Sequence, residues 1–336
     1  MNWKLKAHAL AILSRIPAGR SLYHALQKWA GTNRLDADRD LARAFELVEL
    51  VRQAGGRIAG ATCLEIGTGW RPFVPFVLAL GGARQVTTLD INPWLTLGYA
   101  VETWQALEQF LDVVAARLGL PETEVRDRYR RAVCHQPKSL SQLLAPLKID
   151  YIYPGDARDT GLESISVDLV LSSNVLEHIP PEIQAEIHRE SFRVLRPGGL
   201  SVHRFNPQDH YSTVDPAITH ANFLQYSPGD WNWYGGSGLA YHNRLRSRDY
   251  RNLFERTGFE IAVCRERVDE RSLKAIRSGQ LPIHRDFHRH TLEELAVDYM
   301  WLACQKPRPR PQTGDWRPET GGSRHRRDWR EPHTDH

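Results

Sequence analysis

The stretch that most constrains this 336-residue chain runs from 61 to 82, ATCLEIGTGWRPFVPFVLALGG. It reads as a buried strand over 61–66, the turn Gly67-Thr68-Gly69, and an apolar helix that stops at Gly81-Gly82. Two glycines two residues apart let the backbone turn sharply and keep side chains away from a ligand. The following helix points its N-terminus at the same spot. A strand, glycine turn and helix in this order form the ligand corner of a doubly wound α/β sheet. Two acids sharpen the reading. Glu65 sits inside the apolar run, where an unpaired carboxylate is costly. Asp90 closes the next strand, VTTLD.

LEIGTG followed by a second strand ending in Asp90 resembles the class I S-adenosylmethionine-dependent methyltransferases. The resemblance implies a Rossmann-like, doubly wound seven-stranded sheet and S-adenosylmethionine as cofactor. It places Glu65, Gly67, Thr68 and Gly69 at the methionine part, and Asp90 with Ile91 at the ribose. Read alone, an Asp before Asn92-Pro93 also suits simple turn stabilisation. The usual third glycine is absent and Arg71 stands in its place, although Pro72 suits a first helical turn. Asp156-Ala157, after a third strand near 149–153, matches the family's adenine contacts: a carboxylate for the exocyclic amine and a small neighbour for the ring. VDLVLSSNVLEHIP at 167–180 resembles the fourth-strand motif of small-molecule members and puts Asn174 beside the cofactor. The Asn/Asp-Pro-Pro-aromatic signature of base-methylating relatives, which hold a flipped base, is missing. LRPGG at 195–199 then reads as the reversal into a fifth strand, 200–205.

Charge and cysteine usage bound the partners. The net charge is +4, with eight Lys/Arg against five Asp/Glu in 306–336, so the rest is nearly neutral. That argues against a nucleic-acid surface. The four cysteines (63, 134, 264, 304) have no CxxC spacing, and three fall in apolar runs, which reads as a disulfide-free cytoplasmic chain. No apolar run is long enough to span a membrane, and no signal peptide is read at the N-terminus.

Along the chain, 1–56 reads as a helical cap with helices over 1–16, 22–29 and 36–54. In the first, Leu5, Ala9, Ile12, Leu13 and Ile16 share one face. Six Lys/Arg and no acid in 1–35 suit either peripheral contact with an anionic membrane or a lid packed over the sheet. Residues 57–306 form the expected methyltransferase domain, with helical insertions over 93–148 and an aromatic-rich insertion over 206–246. The latter carries Asp209, His210, Asp215 and His220 among Tyr211, Phe223, Tyr226, Trp231, Trp233 and Tyr234. Its aromatic faces suit a sugar ring, an aromatic acceptor or the sulfonium, or else a small satellite core. Residues 267–297, with His284, His288 and His290, read as a solvated loop between the last two strands, and 307–336 as a disordered basic tail.

The resulting expectation is methyl transfer from S-adenosylmethionine to a small-molecule or glycan hydroxyl. His210 is the first candidate base, made more basic by Asp209, and His178 the second. Asp209, His210, His220 and His242 match no compact metal motif, so metal-free chemistry is expected. The alternatives are a binding module without chemistry and a nicotinamide-dependent oxidoreductase on a similar sheet.

Overall fold

The computed structural model describes residues 2–17, 19, 22–23, 34–132 and 137–309. The expected helix over 22–29 falls mostly outside the described residues, as do Cys134 and the tail from 310 to 336.

Seven strands form one sheet: β1 (Thr62–Ile66), β2 (Gln85–Leu89), β3 (Ile149–Ile152), β4 (Val167–Ser173), β5 (Leu195–Phe205), β6 (Glu260–Val268) and β7 (Val297–Gln305). Their spatial order is β3-β2-β1-β4-β5-β7-β6. β1 to β5 pair in parallel, and β7 lies antiparallel between β5 and β6. The order reverses between β1 and β4, so the carboxyl ends of these strands open a crevice there, where ligands of such sheets bind. The Rossmann-like, seven-stranded architecture read from the sequence is the one observed.

Helices cover both faces, as a parallel sheet requires. One face packs Ala37–Gln53, Phe73–Leu80 and Leu97–Leu107 around Leu47, Phe76 and Trp104. The other packs Pro181–Val194 and Ser247–Thr257 around Ile187, Tyr250 and Phe254. Ser247–Thr257 ends where Gly258 takes φ +103°, a left-handed stop that glycine adopts readily. The 93–148 excursion is helical as expected, with Tyr129 of Glu122–Ala132 stacked on Trp104 at 4.6 Å.

Several local expectations change. β4 continues through Ser173 rather than turning at Ser172. β5 begins at Leu195, so the RPGG segment opens the strand, with Gly198 at φ +83°. Helix Trp3–Leu13 buries the opposite stripe from the one read in the sequence: Trp3, Ala7 and Leu10 are inside, while Leu5 is 67% and Ile12 61% exposed. The cause is a tertiary partner. Trp3 lies 5.1–6.3 Å from the rings of Tyr211, Tyr226, Trp231 and Tyr234, and its backbone N–H donates to Asp215 at 3.0 Å. The helix therefore packs on the insertion after β5, not on the sheet as a lid. Residues 267–297 are no solvated loop. Helices Glu270–Arg277 and Leu292–Ala296 and the segment between them bury Leu273, Ile276, Leu281, Phe287 and Leu295 in a third core shared with Trp3, Tyr211 and Trp231, and His290 lies buried beside Asp249 at 3.3 Å. Their apolar positions keep helical spacing, which the surrounding charge obscures. No helix among the described residues is long and apolar enough to cross a membrane.

Candidate active site

A cavity of about 740 Å³ lies at the carboxyl ends of β1, β2 and β4, within the usual range for ligand sites, roughly 300–1,000 Å³. Its floor is the glycine turn. Gly67 sits at φ +83° and Gly69 at +66°. A Cβ on Gly67 would meet Cγ2 of Val175 at 2.5 Å, so bare backbone is needed on both counts. Gly67, Gly69, Asp90, Ile91, Asp156, Ala157 and Asn174 all line the cavity.

Asp90 is buried, and burial pushes its carboxyl above the ordinary range against the pull of three backbone N–H groups. One oxygen accepts from Gly69 N at 2.9 Å and the other from Asn92 N at 2.8 Å, which ties the end of β2 to the glycine turn. Asp156, half-buried, also lines the cavity. Its carboxylate receives Arg158 through Nε and Nη2 at 2.6–3.0 Å, and this hydrogen bonding holds it below the usual range. Trp70 and Trp94, with ring centroids 4.5 Å apart, add an aromatic wall that the sequence reading did not select. The spacing of Trp70 directly after Gly69 and Trp94 shortly after Asp90 is the signal that could have found it.

Glu65 and Thr68 stand off the cavity wall. Glu65 Oε2 accepts the Thr88 hydroxyl at 2.5 Å, and Thr88 meets the Thr68 hydroxyl at 2.6 Å. Burial pushes the Glu65 carboxyl up to about 8. Side chains alternate along a strand, so Glu65 faces the layer beneath the turn and braces it through Thr88.

Asn174 leaves β4 at φ +56°. Its Oδ1 accepts from Arg204 and from the Tyr299 hydroxyl at 2.9 Å, and its Nδ2 donates to Asn206 at 3.1 Å. Arg204 also reaches Glu46 at 2.7 Å and Ser173 at 3.0 Å, and Glu46 takes the Trp301 indole N–H at 2.6 Å. This network, centred on the buried Arg204, ties the end of β4 to β5, β7 and helix Ala37–Gln53. None of its members beyond Asn174 carries a local sequence signal.

His178 lines the cavity, while His210 lies behind it with ring centroids 4.8 Å apart. His178 Nδ1 pairs with the Tyr241 carbonyl at 3.0 Å, which assigns its N–H to that nitrogen and leaves Nε2 as an acceptor. Desolvation by the surrounding protein holds both imidazoles below their ordinary range, His210 well below it, although His178 keeps an exposed surface and His210 is half-buried. The expected Asp209–His210 pair does not form. Asp209 accepts from Tyr211 N at 2.9 Å and Asn222 Nδ2 at 2.8 Å, and its nearest imidazole is His242 at 3.7 Å. Adjacent residues at the start of the His210–Thr213 turn point apart, and Asp209 is spent on capping it. Most aromatics of 206–246 fill the third core rather than the cavity; from that insertion only 238–241 reach the wall. Glu177, passed over in the sequence, is fully buried beside the His pair, and burial pushes its carboxyl up to about 8.

A family described as a methyltransferase domain matches residues 127–202, the span from within helix Glu122–Ala132 into β5. No curated protein matches. Among solved structures, a SAM-dependent methyltransferase from Methanosarcina mazei is 18% identical, over 74% of this chain and 93% of that one, at TM-score 0.39. One from Mesorhizobium loti is 15% identical over 76% and 96%, at 0.42. Haemonchus contortus phosphoethanolamine N-methyltransferase 2 is 14% identical over 77% and 52%, at 0.40. The strand order is that of a Rossmann-like, methyltransferase-type fold, and the family match within it is confined to 127–202. Identities this low leave cofactor, chemistry and acceptor to be argued from the chain's own residues.

Proposed function

We propose that the cavity binds S-adenosylmethionine and that the protein transfers its methyl group to a hydroxyl of a small-molecule or glycan acceptor. The observation that carries this reading is the side-chain-free cradle at Gly67 and Gly69, tied to the buried Asp90 carboxylate at one end of a cavity of suitable size. When bound, the cofactor supplies an already activated methyl group, so the protein's work is mainly alignment. In this reading the glycine turn admits the methionine part. Asp90 has lone pairs left for the ribose hydroxyls. Ala157 leaves room for a ring, with Asp156 at its edge. Glu65 and Thr68 act by bracing the turn rather than by contact. Asn174 sits between the cofactor and the acceptor end.

The acceptor end is the His178 side of the cavity. The hydroxyl proton is taken up in the cluster of His178 and His210, and His178 ranks first because it lines the cavity and its Nε2 is left as an acceptor. A second element concerns where the acceptor resides. Leu5, Ile12 and Ile16 form an exposed apolar stripe on a segment with six Lys/Arg and no acid, and Tyr23 of that segment lines the cavity. Such a stripe suits peripheral docking on an anionic bilayer.

Calorimetry with S-adenosylhomocysteine tests the central reading. The parent should bind in the micromolar range, about −8 kcal/mol. Asp90→Ala should lose at least about tenfold, as expected when a charged acceptor is removed, while keeping the parent's circular dichroism. Equal binding by that variant overturns the assignment.

A further inference from the structure

We propose that Glu177, His178 and His210 form a binding site for a divalent transition cation at the acceptor end of the cavity. Each offers one ligand atom, and these atoms lie within 4.8 Å of one another. Ligands at about 2.0–2.2 Å from one ion sit roughly 3–4 Å apart, so closing the site asks for shifts of about 1 Å or less.

Three observations support a ligand-binding role over accidental proximity. First, Glu177 Oε2 and His210 Nε2 are buried without a hydrogen-bond partner. Buried polar atoms are nearly always satisfied, so two orphans facing one another ask for an explanation. Second, the remaining atom of each ligand is already anchored. Glu177 Oε1 accepts from Asn206 N at 3.4 Å, the His210 ring bonds the Asn206 backbone, and His178 Nδ1 bonds the Tyr241 carbonyl. Metal-ligating imidazoles are held in this way, with the second nitrogen fixing tautomer and orientation. Third, His242 stacks on His210 with centroids 5.0 Å apart and planes 10° off parallel, which holds the ring in place.

Two imidazoles and one carboxylate suit zinc, manganese, iron or cobalt better than magnesium, which prefers oxygen ligands. Three protein ligands leave coordination positions free, and the open side is the cavity, because His178 forms its wall. The set differs from the one weighed in the sequence. His220 turns away to Asp298 at 3.1 Å, and Asp209 is committed to Tyr211 and Asn222.

The consequence for the acceptor rests on the methyl-transfer reading, whereas cation binding itself does not. With the ion bound, His178 and His210 would be ligands in place of the base role given them above, and an acceptor hydroxyl on the ion would release its proton to solvent near neutral pH, as ion-bound water does. An acceptor with a neighbouring oxygen, such as a vicinal diol or a 2-hydroxy acid, can chelate and is thereby favoured.

The test uses chelator-treated, full-length protein titrated with Co(II) and, separately, Zn(II). The expected result is one equivalent bound, with visible d–d absorption for Co(II) and saturable heat for Zn(II). Glu177→Gln and His210→Asn should each weaken binding by about 10-fold or more, while His220→Gln should bind as the parent does. Circular dichroism establishes that each variant is folded. If His210→Asn does not fold, the isosteric Glu177→Gln decides. Absence of stoichiometric binding to the parent, or unchanged affinity in folded Glu177→Gln, overturns the site. S-adenosylhomocysteine calorimetry on the same metal-free protein reports on the cofactor reading separately.

Discussion

Replacing Gly67 by alanine tests whether the turn's geometry, rather than its composition, carries the site. Two penalties meet at this residue. Its φ of +83° lies where a non-glycine residue pays about 1–2 kcal/mol. The new methyl group would also stand 2.5 Å from Cγ2 of Val175, a stiff branched side chain, and overpacking of this kind costs about 1–3 kcal/mol. Together these amount to about 2–5 kcal/mol, which in a chain of this size lowers Tm by about 3–7 °C. Relief by movement would shift either the turn or the start of the Asn174 segment, and both line the cavity, so S-adenosylhomocysteine affinity should fall with stability. Val175→Ala separates the two causes. In that background the methyl group has space, and adding Gly67→Ala should cost only the backbone part, about 1–2 kcal/mol. Thermal and urea unfolding of the four proteins, with calorimetry on each, gives the comparison. If Gly67→Ala melts with the parent and binds equally, the reasoning fails. An equal cost in both backgrounds would remove Val175 from the explanation.

Other predictions address the brace, the N-terminal helix and the exposed stripe. Glu65 is lifted to about 8 from an ordinary 4.5, so between these pH values the folded chain keeps a proton that the unfolded chain releases. Stability should therefore fall as pH rises through that window, by on the order of a few kcal/mol, and level off above it. Glu65→Gln should flatten that part of the urea-midpoint profile between pH 5 and 8.5, and coincident profiles would show that Glu65 is not held protonated. Trp3→Ala should cost about 3–5 kcal/mol of the helix's docking energy and open the Trp3–Leu13 segment to limited proteolysis; unchanged protection would contradict its role as anchor. Sedimentation with anionic vesicles should retain the parent and lose Leu5→Glu/Ile12→Glu, with no retention on neutral vesicles. Equal recovery of both proteins would end the membrane reading.

The order of strands, turns and helices around the cofactor end was legible because its determinants are local. The period-two apolar runs, the Gly67 and Gly69 pair and the acid at each strand end act within a few residues of themselves. Gly67, Asp90, Ala157 and Asn174, the last two named through the family resemblance, all line the one cavity. Helix Trp3–Leu13 shows where this kind of reading stops. Its sequence offers two apolar stripes, and the choice fell to the aromatic cluster more than 200 residues away that accepts Trp3. The acceptor end follows the same rule. His178 is oriented by Tyr241, 63 positions on; Arg204 is fixed by Glu46, 158 positions back; and Glu177 faces His210 only because β4 and β5 run side by side. Asp209 and His210, neighbours in sequence, point to different partners. The sequence alone thus determined the sheet and its glycine-turn corner, through backbone preference and apolar runs. Tertiary structure decided which polar groups meet at the acceptor end, because burial and long-range pairing set their partners and their protonation.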